Sequence, residues 1–225
     1  MTKQEVRDRI LEEKMIAIVR ASTCDPAMTA ARAICAGGIG IVEITMTVPG
    51  AIDAISALSR SGGMNGSSTP GFSGMLIGAG TVLDAETANR CIDAGARFIV
   101  SPGLDAAVVE AAQSRNVLVI AGALTPTEVI AAWKSGADFV KIFPCGSVGG
   151  VGHLRALKAA LPHIVMVPTG GVTVANAAEF LNAGAAAVGI GSELCSDSAL
   201  ASANFAGITE MARHFAAVAL RESRT

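Results

Sequence analysis

The sequence predicts an α/β protein, a (β/α)8 TIM barrel of parallel strands with one extra helix before the first strand. Three observations lead to this prediction: about eight short apolar runs alternate with helical stretches, the runs are apolar on both faces, and 225 residues suit one such barrel. We expect a single domain over residues 1–225, because no change in composition marks a boundary.

The elements follow one another in a regular order. Thr2-Lys3-Gln4-Glu5 has the pattern of a capping box and begins an amphipathic helix over residues 1–14. Glycine-containing turns such as Ser135-Gly136-Ala137 then end the later helices, because glycine readily adopts a left-handed cap. A long helix over residues 198–221 closes the barrel. The predicted strands are Met15–Arg20, Ile39–Thr45, Met75–Gly80, Arg97–Ser101, Val117–Ala121, Asp138–Phe143, Ile164–Pro168 and Ala186–Ile190.

One segment departs from this order. Ser61–Gly74 is rich in glycine and serine, and we predict a surface loop there, on the side of the barrel away from the catalytic ends of the strands.

Composition excludes several classes of partner. A net charge of −2 with 17 Lys and Arg argues against nucleic-acid binding, and no charge run or long apolar stretch indicates a membrane. Five cysteines, an odd number without metal-ligand spacing, indicate reduced thiols. The N-terminus lacks the pattern of a signal peptide. We expect a soluble protein of the cytoplasm.

Lys141 is a charged residue inside the apolar strand Asp138–Phe143, which Pro144 ends. Because strand side chains alternate, Phe139, Lys141 and Phe143 share one face. Apolar surroundings disfavour the ammonium form and so supply a nucleophilic amine. The alternative is a lysine at a strand end whose amine reaches water.

Other polar side chains gather where the predicted strands end, which is where barrels of this kind hold their chemistry. Glu43 lies in a run that should be buried, where a carboxylate is unfavourable unless it is paired. A structural ion pair with Arg20 or Lys141 is one interpretation. We favour catalysis, because a carboxylate beside a desolvated lysine is what proton transfer needs. Thr45 and Thr47 follow Glu43, and Thr81, Ser101 and Pro102 follow strands three and four.

Arg20 and two glycine turns are candidates for binding anionic groups. The Arg20 guanidinium suits a substrate carboxylate, although it could only cap the barrel rim. Gly170-Gly171 and Gly191-Ser192 could be ordinary turns. We favour a phosphate site on their N–H groups, with helices starting at Thr173 and Glu193 and no basic residue near either turn.

Other candidates are weaker. His153, His163 and His214 lack ligand spacing, so we expect structural roles and no metal site. Cys145 has no histidine placed to activate it, and inert packing is expected. Gly78-Ala79-Gly80 lacks the rest of a dinucleotide fingerprint.

Seven segments stand out between about Met15 and Leu194. They are Met15–Arg20, Val42–Thr45, Gly78–Val82, Ile99–Gly103, Phe139–Pro144, Val167–Gly171 and Gly189–Ser192. Together, and in this order, they resemble the 2-keto-3-deoxy-6-phosphogluconate (KDPG) / 2-keto-4-hydroxyglutarate (KHG) aldolase family.

The resemblance implies a class I pyruvate aldolase on a (β/α)8 barrel, without metal or other cofactor and typically homotrimeric. It implies that Lys141 forms the Schiff base and that Glu43 is the general acid/base. The substrate would be a 2-keto acid, phosphorylated at its far end. The residues implied near pyruvate are Arg20, Thr81 and Pro102, those at the phosphate end are Thr169, Gly170, Gly171, Gly191 and Ser192, and we add Thr45 and Phe143 as substrate-binding candidates.

Thr47 departs from the family pattern. Some members have an arginine in this loop, so carboxylate binding here would fall on Arg20 and Thr81. The Ser61–Gly74 loop also looks longer than usual.

The expected reaction is cleavage of KDPG to pyruvate and glyceraldehyde 3-phosphate, with KHG as a further substrate that would yield pyruvate and glyoxylate. A single hydroxyl configuration separates KDPG from its phosphogalactonate isomer, and the sequence leaves both open. Two other classes remain: a phosphosugar isomerase or epimerase using Glu43 and Lys141 without covalency, and a barrel that only binds or assembles. The Glu43/Lys141 pair argues against the last, since a buried charged pair is unfavourable for packing alone.

Overall fold

The computed structural model describes residues 1–62 and 74–222, and in these ranges it confirms the predicted (β/α)8 barrel. All strand pairs named in the sheet are parallel, in the order β7-β6-β5-β4-β3-β2-β1-β8. The two outer strands meet at a bridge between Thr169 and Gly189, which nearly closes the barrel. The strands are β1 Met15–Val19, β2 Ile41–Thr45, β3 Leu76–Gly80, β4 Phe98–Val100, β5 Leu118–Ala123, β6 Phe139–Ile142, β7 Met166–Pro168 and β8 Val188–Ile190.

Helices alternate with these strands, and side-chain caps mark where several begin. Thr2 and Glu5 form the predicted capping box, and Asp84, Asp105 and Thr125 each accept a backbone N–H of the helix they precede. The helices are α1 Lys3–Glu13, α2 Cys24–Ala36, α3 Ala51–Gly62, α4 Ala85–Asp93, α5 Ala106–Ser114, α6 Pro126–Lys134, α7 Val151–Ala160, α8 Ala177–Asn182, α9 Asp197–Ala201 and α10 Phe205–Glu222.

The single helix predicted over residues 198–221 is wrong, because two helices, α9 and α10, occupy this part of the chain. Ala203 between them has φ 52°, in the left-handed region, which ends the helical run. The Oδ1 atom of Asn204 then accepts the N–H of Gly207 at 3.0 Å and caps α10.

The helix starts predicted at Thr173 and Glu193 are also wrong, since α8 and α9 begin four residues later. Asn176 accepts the N–H of Thr173 at 2.8 Å and donates to the carbonyl of Gly171 at 2.9 Å, which holds a turn before α8. Ser196 accepts the N–H of Ala199 at 3.1 Å and caps α9.

Alternation along the strands separates an inner core from an outer one. Phe139 belongs to the inner cluster of buried side chains, while Val140 and Ile142 belong to the outer cluster between sheet and helices. Val6 and Ile10 of α1 join the inner cluster, so α1 closes the amino-terminal end of the barrel. The carboxyl ends of the strands form the opposite mouth.

The loop predicted over Ser61–Gly74 lies, from residue 63 to residue 73, outside the described residues; Ser61 and Gly62 end α3. Among the described helices, none has the length and apolar character needed to cross a bilayer.

Candidate active site

Lys141 and Glu43 face each other inside the barrel near its open mouth. Lys141 continues the inner face of β6 after Phe139, and Glu43 continues the inner face of β2 after Ile41. The Nζ atom of Lys141 lies 3.9 Å from Oε1 of Glu43, and their side chains are only 4% and 2% exposed. The predicted pair is therefore brought together in a nearly dry position.

The Oε1 atom of Glu43 has no hydrogen-bond partner among the described residues. A separation of 3.9 Å from Nζ is too long for a hydrogen bond. An oxygen atom about 2.8 Å from both atoms would fit between them and could bond to each. The carboxylate is thus free to exchange a proton with a group bound next to the amine.

Pro102 packs against Gly122 of β5, where no side chain stands in its way. Gly122 is the register partner of Lys141 on that strand. A Cβ atom on Gly122 would lie within 2.5 Å of the carbonyl carbon and oxygen of Pro102 and of the nitrogen of Gly103. The loop after β4 can therefore approach the mouth beside the lysine, as the sequence predicts for Pro102.

Phe143 connects the lysine to a second region. The Nζ atom of Lys141 lies 5.2 Å from the centroid of the Phe143 ring, which is within range of a cation–π contact. The same ring lines a cavity of about 100 Å³ next to the pair. One water needs only about 10–15 Å³ by this measure, so the cavity has room for a larger group.

The cavity collects the residues predicted for the phosphate end. Thr169, Gly170 and Gly171 line it from after β7, and Gly191 and Ser192 line it from after β8. The remaining lining residues are Ile18, Arg20, Phe143, Val172, Thr173 and Glu193. Sequence reasoning named Glu193 only as a helix start and did not predict that this carboxylate lines the cavity.

Arg20 lies with this group, since it lines the cavity together with the glycine turns. A Cβ atom on Gly191 would be 3.3 Å from Nη1 of Arg20. The expectation that no basic residue lies near either turn is therefore wrong, because β1 and β8 are neighbours in the barrel and bring Arg20 to Gly191.

The threonines after β2 and β3 differ in what they can offer a ligand. Thr45 is fully buried, and its hydroxyl bonds to the carbonyl of Val19 at 3.2 Å and to the Thr47 hydroxyl at 2.7 Å. Thr45 therefore ties β2 to β1. Thr81 is half-buried and has φ 56°, a strained conformation for a β-branched residue. Such strain, which costs about 1–3 kcal/mol, is often found at functional sites.

Cys145 and the histidines have local packing partners. Burial raises the pKa of the Cys145 thiol to about 11, so the thiol stays protonated at neutral pH. His153 bonds to the carbonyl of Leu124 at 2.9 Å, His163 packs edge-on against Trp133, and His214 lies 3.5 Å from Glu210. In the described ranges, no three His, Cys, Asp or Glu side chains group as metal ligands.

Comparison with known proteins identifies relatives of this arrangement. A sequence model of aldolases described as KDPG and KHG aldolase matches residues 6–211. The 2-dehydro-3-deoxy-6-phosphogalactonate aldolase of Escherichia coli (strain K12) is 36% identical over 181 residues, 80% of this chain and 83% of the relative. The 2-dehydro-3-deoxy-phosphogluconate aldolase of Treponema pallidum (strain Nichols) is 34% identical over 168 residues, 75% of each chain.

Two similar solved structures indicate the same family. A structure described as native KDPGal is 33% identical, with a TM-score of 0.81 and coverage of 93% of this chain and 95% of that one. KDPG aldolase from Legionella pneumophila, with pyruvate captured as a covalent carbinolamine intermediate, is 30% identical, with a TM-score of 0.80 and coverage of 92% and 96%. The chain belongs to the KDPG and KHG aldolase family.

Proposed function

We propose that this protein is a class I aldolase that cleaves KDPG into pyruvate and glyceraldehyde 3-phosphate through a Schiff base on Lys141. The observation that carries the proposal is the buried pair of Lys141 and Glu43, 3.9 Å apart at the open end of the barrel. The captured carbinolamine of the Legionella relative supports the covalent route. Membership of the family supports an aldolase and hence a lyase.

The first step is attack of the neutral Lys141 amine on the C2 ketone of the substrate. The carbinolamine hydroxyl takes a proton from solvent and leaves as water, which gives a protonated imine. The Phe143 ring, whose centroid is 5.2 Å from Nζ of Lys141, lies where it can stabilise the cation that forms after attack.

The second step is cleavage of the C3–C4 bond. Oε1 of Glu43 takes the proton of the C4 hydroxyl, the C4 carbon becomes the aldehyde, and the bonding electrons pass to the imine nitrogen as an enamine forms. After the aldehyde leaves, the same carboxyl group returns a proton to C3. Water then hydrolyses the imine and releases pyruvate, which regenerates the amine and returns one proton to solvent.

The imine supplies the electron sink, so we propose that turnover needs neither a metal nor another cofactor. EDTA should leave the cleavage rate unchanged. A strong loss that added zinc or magnesium restores would contradict this part of the proposal.

The far end of the substrate would bind in the cavity beside Phe143. The backbone N–H groups of the two glycine turns, the Ser192 hydroxyl and the Arg20 guanidinium are suited to a phosphate. The pyruvate end would lie near Thr81 and Pro102. Binding a remote phosphate helps to orient the carbons that react.

A second candidate substrate is the phosphogalactonate isomer. The E. coli phosphogalactonate aldolase is 36% identical to this chain, which is as strong a relationship as those with the phosphogluconate enzymes reported above. KHG is a third candidate. A panel of the three substrates, scored by the rate of pyruvate release, ranks them.

We also propose a homotrimer that works in the cytoplasm. The trimer follows from the family resemblance, and light scattering should give three times the mass of one chain; a monomer would contradict it. All five cysteines are free thiols, which suits a reducing compartment.

Borohydride trapping tests the covalent mechanism directly. Incubation with pyruvate and borohydride should add a stable mass to the intact protein and to the peptide that contains Lys141. If no adduct forms, or if it forms on another lysine, the non-covalent isomerase or epimerase becomes the better hypothesis.

A further inference from the structure

Gly80 ends β3 directly beside the side chain of Glu43. Leu76 of the same strand belongs to the inner core and Ile77 and Ala79 to the outer one, so alternation turns Gly80 towards the interior. A Cβ atom on Gly80 would lie within 2.5 Å of the Cγ, Cδ and Oε1 atoms of Glu43. The carboxylate therefore occupies the space that any other residue at position 80 would fill.

Backbone conformation does not account for a glycine at this position. Gly80 lies in a regular parallel strand paired with Thr45, and it is not among the glycines with positive φ. A residue with a Cβ atom could adopt this backbone without strain. Gly78, two residues earlier, differs because its missing Cβ makes room for the ring of Phe98, a packing contact within the inner core.

The atom nearest to this space is the one that the chemistry needs. Oε1 of Glu43 would be the closest neighbour of the added carbon. The same oxygen is 3.9 Å from Nζ of Lys141 and has no hydrogen-bond partner among the described residues. With no hydrogen bond to hold this oxygen, its position depends on the shape of the space around it.

We propose that Gly80 is a positioning residue, which makes room for the Glu43 carboxylate and so keeps Oε1 directed at Lys141. This inference rests on the proposed aldolase function. A methyl group at position 80 would displace the carboxylate while leaving Lys141 on β6 untouched. Because misplacing a reacting group by about 1 Å can reduce a rate about 10²-fold, cleavage should suffer and imine formation should survive.

A double-mutant cycle over Gly80→Ala and Glu43→Ala tests the proposal. The measurements are the cleavage rate, the end point of pyruvate trapping by borohydride, and Tm. Gly80→Ala alone should lower cleavage roughly 10²-fold or more, keep the trapped adduct, and lower Tm. In the Glu43→Ala background the same change should lower the residual cleavage less than about 3-fold and leave Tm nearly unchanged, because no carboxylate remains to be displaced.

Gly152→Ala in α7 is the control, since it adds the same methyl group with no atom within 4 Å of the new carbon and Gly152 does not line the cavity. It should leave cleavage and the trapped adduct unchanged and should not lower Tm.

Several outcomes would overturn the positioning role. Equal losses of cleavage in the two backgrounds would mean that Gly80 acts through packing of β3, and an unaffected single variant would mean that it has no role. If Gly80→Ala does not fold, a folded double variant supports the proposal and an unfolded one contradicts it. A wild-type protein that neither traps pyruvate nor cleaves substrate would instead refute the aldolase function, and the Tm values would still measure the coupling of Gly80 to Glu43.

Discussion

Arg20, which follows β1, lies against Gly191, which follows β8: its Nη1 atom is 3.3 Å from the point that a Cβ atom on Gly191 would occupy. This contact brings a positive charge to the rim of a cavity lined by glycine backbone. The guanidinium is therefore better placed for the phosphate end of a substrate than the sequence alone suggested.

Replacing Arg20 with glutamine should selectively lower the activity on phosphorylated substrates. We expect kcat/KM for KDPG to fall roughly 10- to 100-fold, because a hydrogen bond to a charged group is worth about 1.5–3 kcal/mol. Trapping of pyruvate and any cleavage of unphosphorylated KHG should change little. Steady-state kinetics on both substrates measures this difference.

Arg20→Lys is the control for charge, since it keeps the cation but loses the planar pair of donors. Its kcat/KM for KDPG should lie between those of the wild type and of Arg20→Gln. If Arg20→Gln lowered pyruvate trapping as much as it lowered kcat/KM for KDPG, Arg20 would instead bind the substrate carboxylate, as the family resemblance implies.

Glu43→Gln and Lys141→Ala should separate the two catalytic roles. Glutamine keeps the size of the side chain but removes the base, so the borohydride adduct should still form while cleavage falls roughly 10²- to 10⁴-fold. Lys141→Ala should abolish both. Mass spectrometry of the adduct and a pyruvate-release assay report the two steps, and near wild-type cleavage by Glu43→Gln would refute the role of the carboxylate.

Phe143→Leu tests the ring that lies 5.2 Å from the lysine nitrogen. Leucine keeps an apolar side chain but removes the negative face of the ring, and a cation–π contact is worth about 0.5–2 kcal/mol. We expect the rate of KDPG cleavage to fall about 2- to 30-fold. Phe143→Tyr keeps an aromatic face, so its rate of KDPG cleavage should stay closer to that of the wild type. If both changes lowered the rate equally, the ring would act only by filling space.

Four cysteines, three of them buried and Cys35 half-buried, should make the free energy of unfolding fall in alkaline solution. Burial raises the pKa of Cys35, Cys91, Cys145 and Cys195 from 9.0 to about 11. Between these values the unfolded chain loses thiol protons that the folded chain retains, so this contribution to stability is complete below pH 9 and is lost as the pH rises towards 11.

Thermal unfolding between pH 8 and pH 11 measures this effect. Cys91→Ala should have a shallower fall of Tm than wild type over that range, because one of the thiols that titrate on unfolding is gone. An unchanged slope in this variant would contradict a contribution from Cys91.

The sequence was enough to predict the barrel and the proximity of Lys141 to Glu43, and Phe139 and Lys141 illustrate why. Alternation in a strand is a local rule, and once one residue of β6 faces the inner core its neighbours follow. The same rule holds on β2, where Glu43 shares the inner face with Ile41. Two residues on separate strands could therefore be assigned to one interior.

Features that depend on contacts between distant segments were missed. The turn closed by the hydrogen bond from the Thr173 N–H to Asn176 delays the start of α8, and nothing in the glycine turn itself indicates that delay. The approach of Arg20 to Gly191 depends on the pairing of β1 with β8. The proposed role of Gly80 depends on its contact with the Glu43 side chain, which lies on another strand.

The bridge between Thr169 and Gly189 is where β7 and β8 meet, and the candidate phosphate cavity spans that same seam. A ligand held by residues from both sides would add cross-links to this bridge and to the hydrogen bond from the Ala186 N–H to the Met166 carbonyl, 2.9 Å long, which crosses the same seam. We therefore expect a bound phosphorylated substrate to stabilise the junction between β7 and β8 that closes the barrel. Amide hydrogens along β7 and β8 should then exchange more slowly with solvent when the cavity is filled, while those of β2 and β3 should change less.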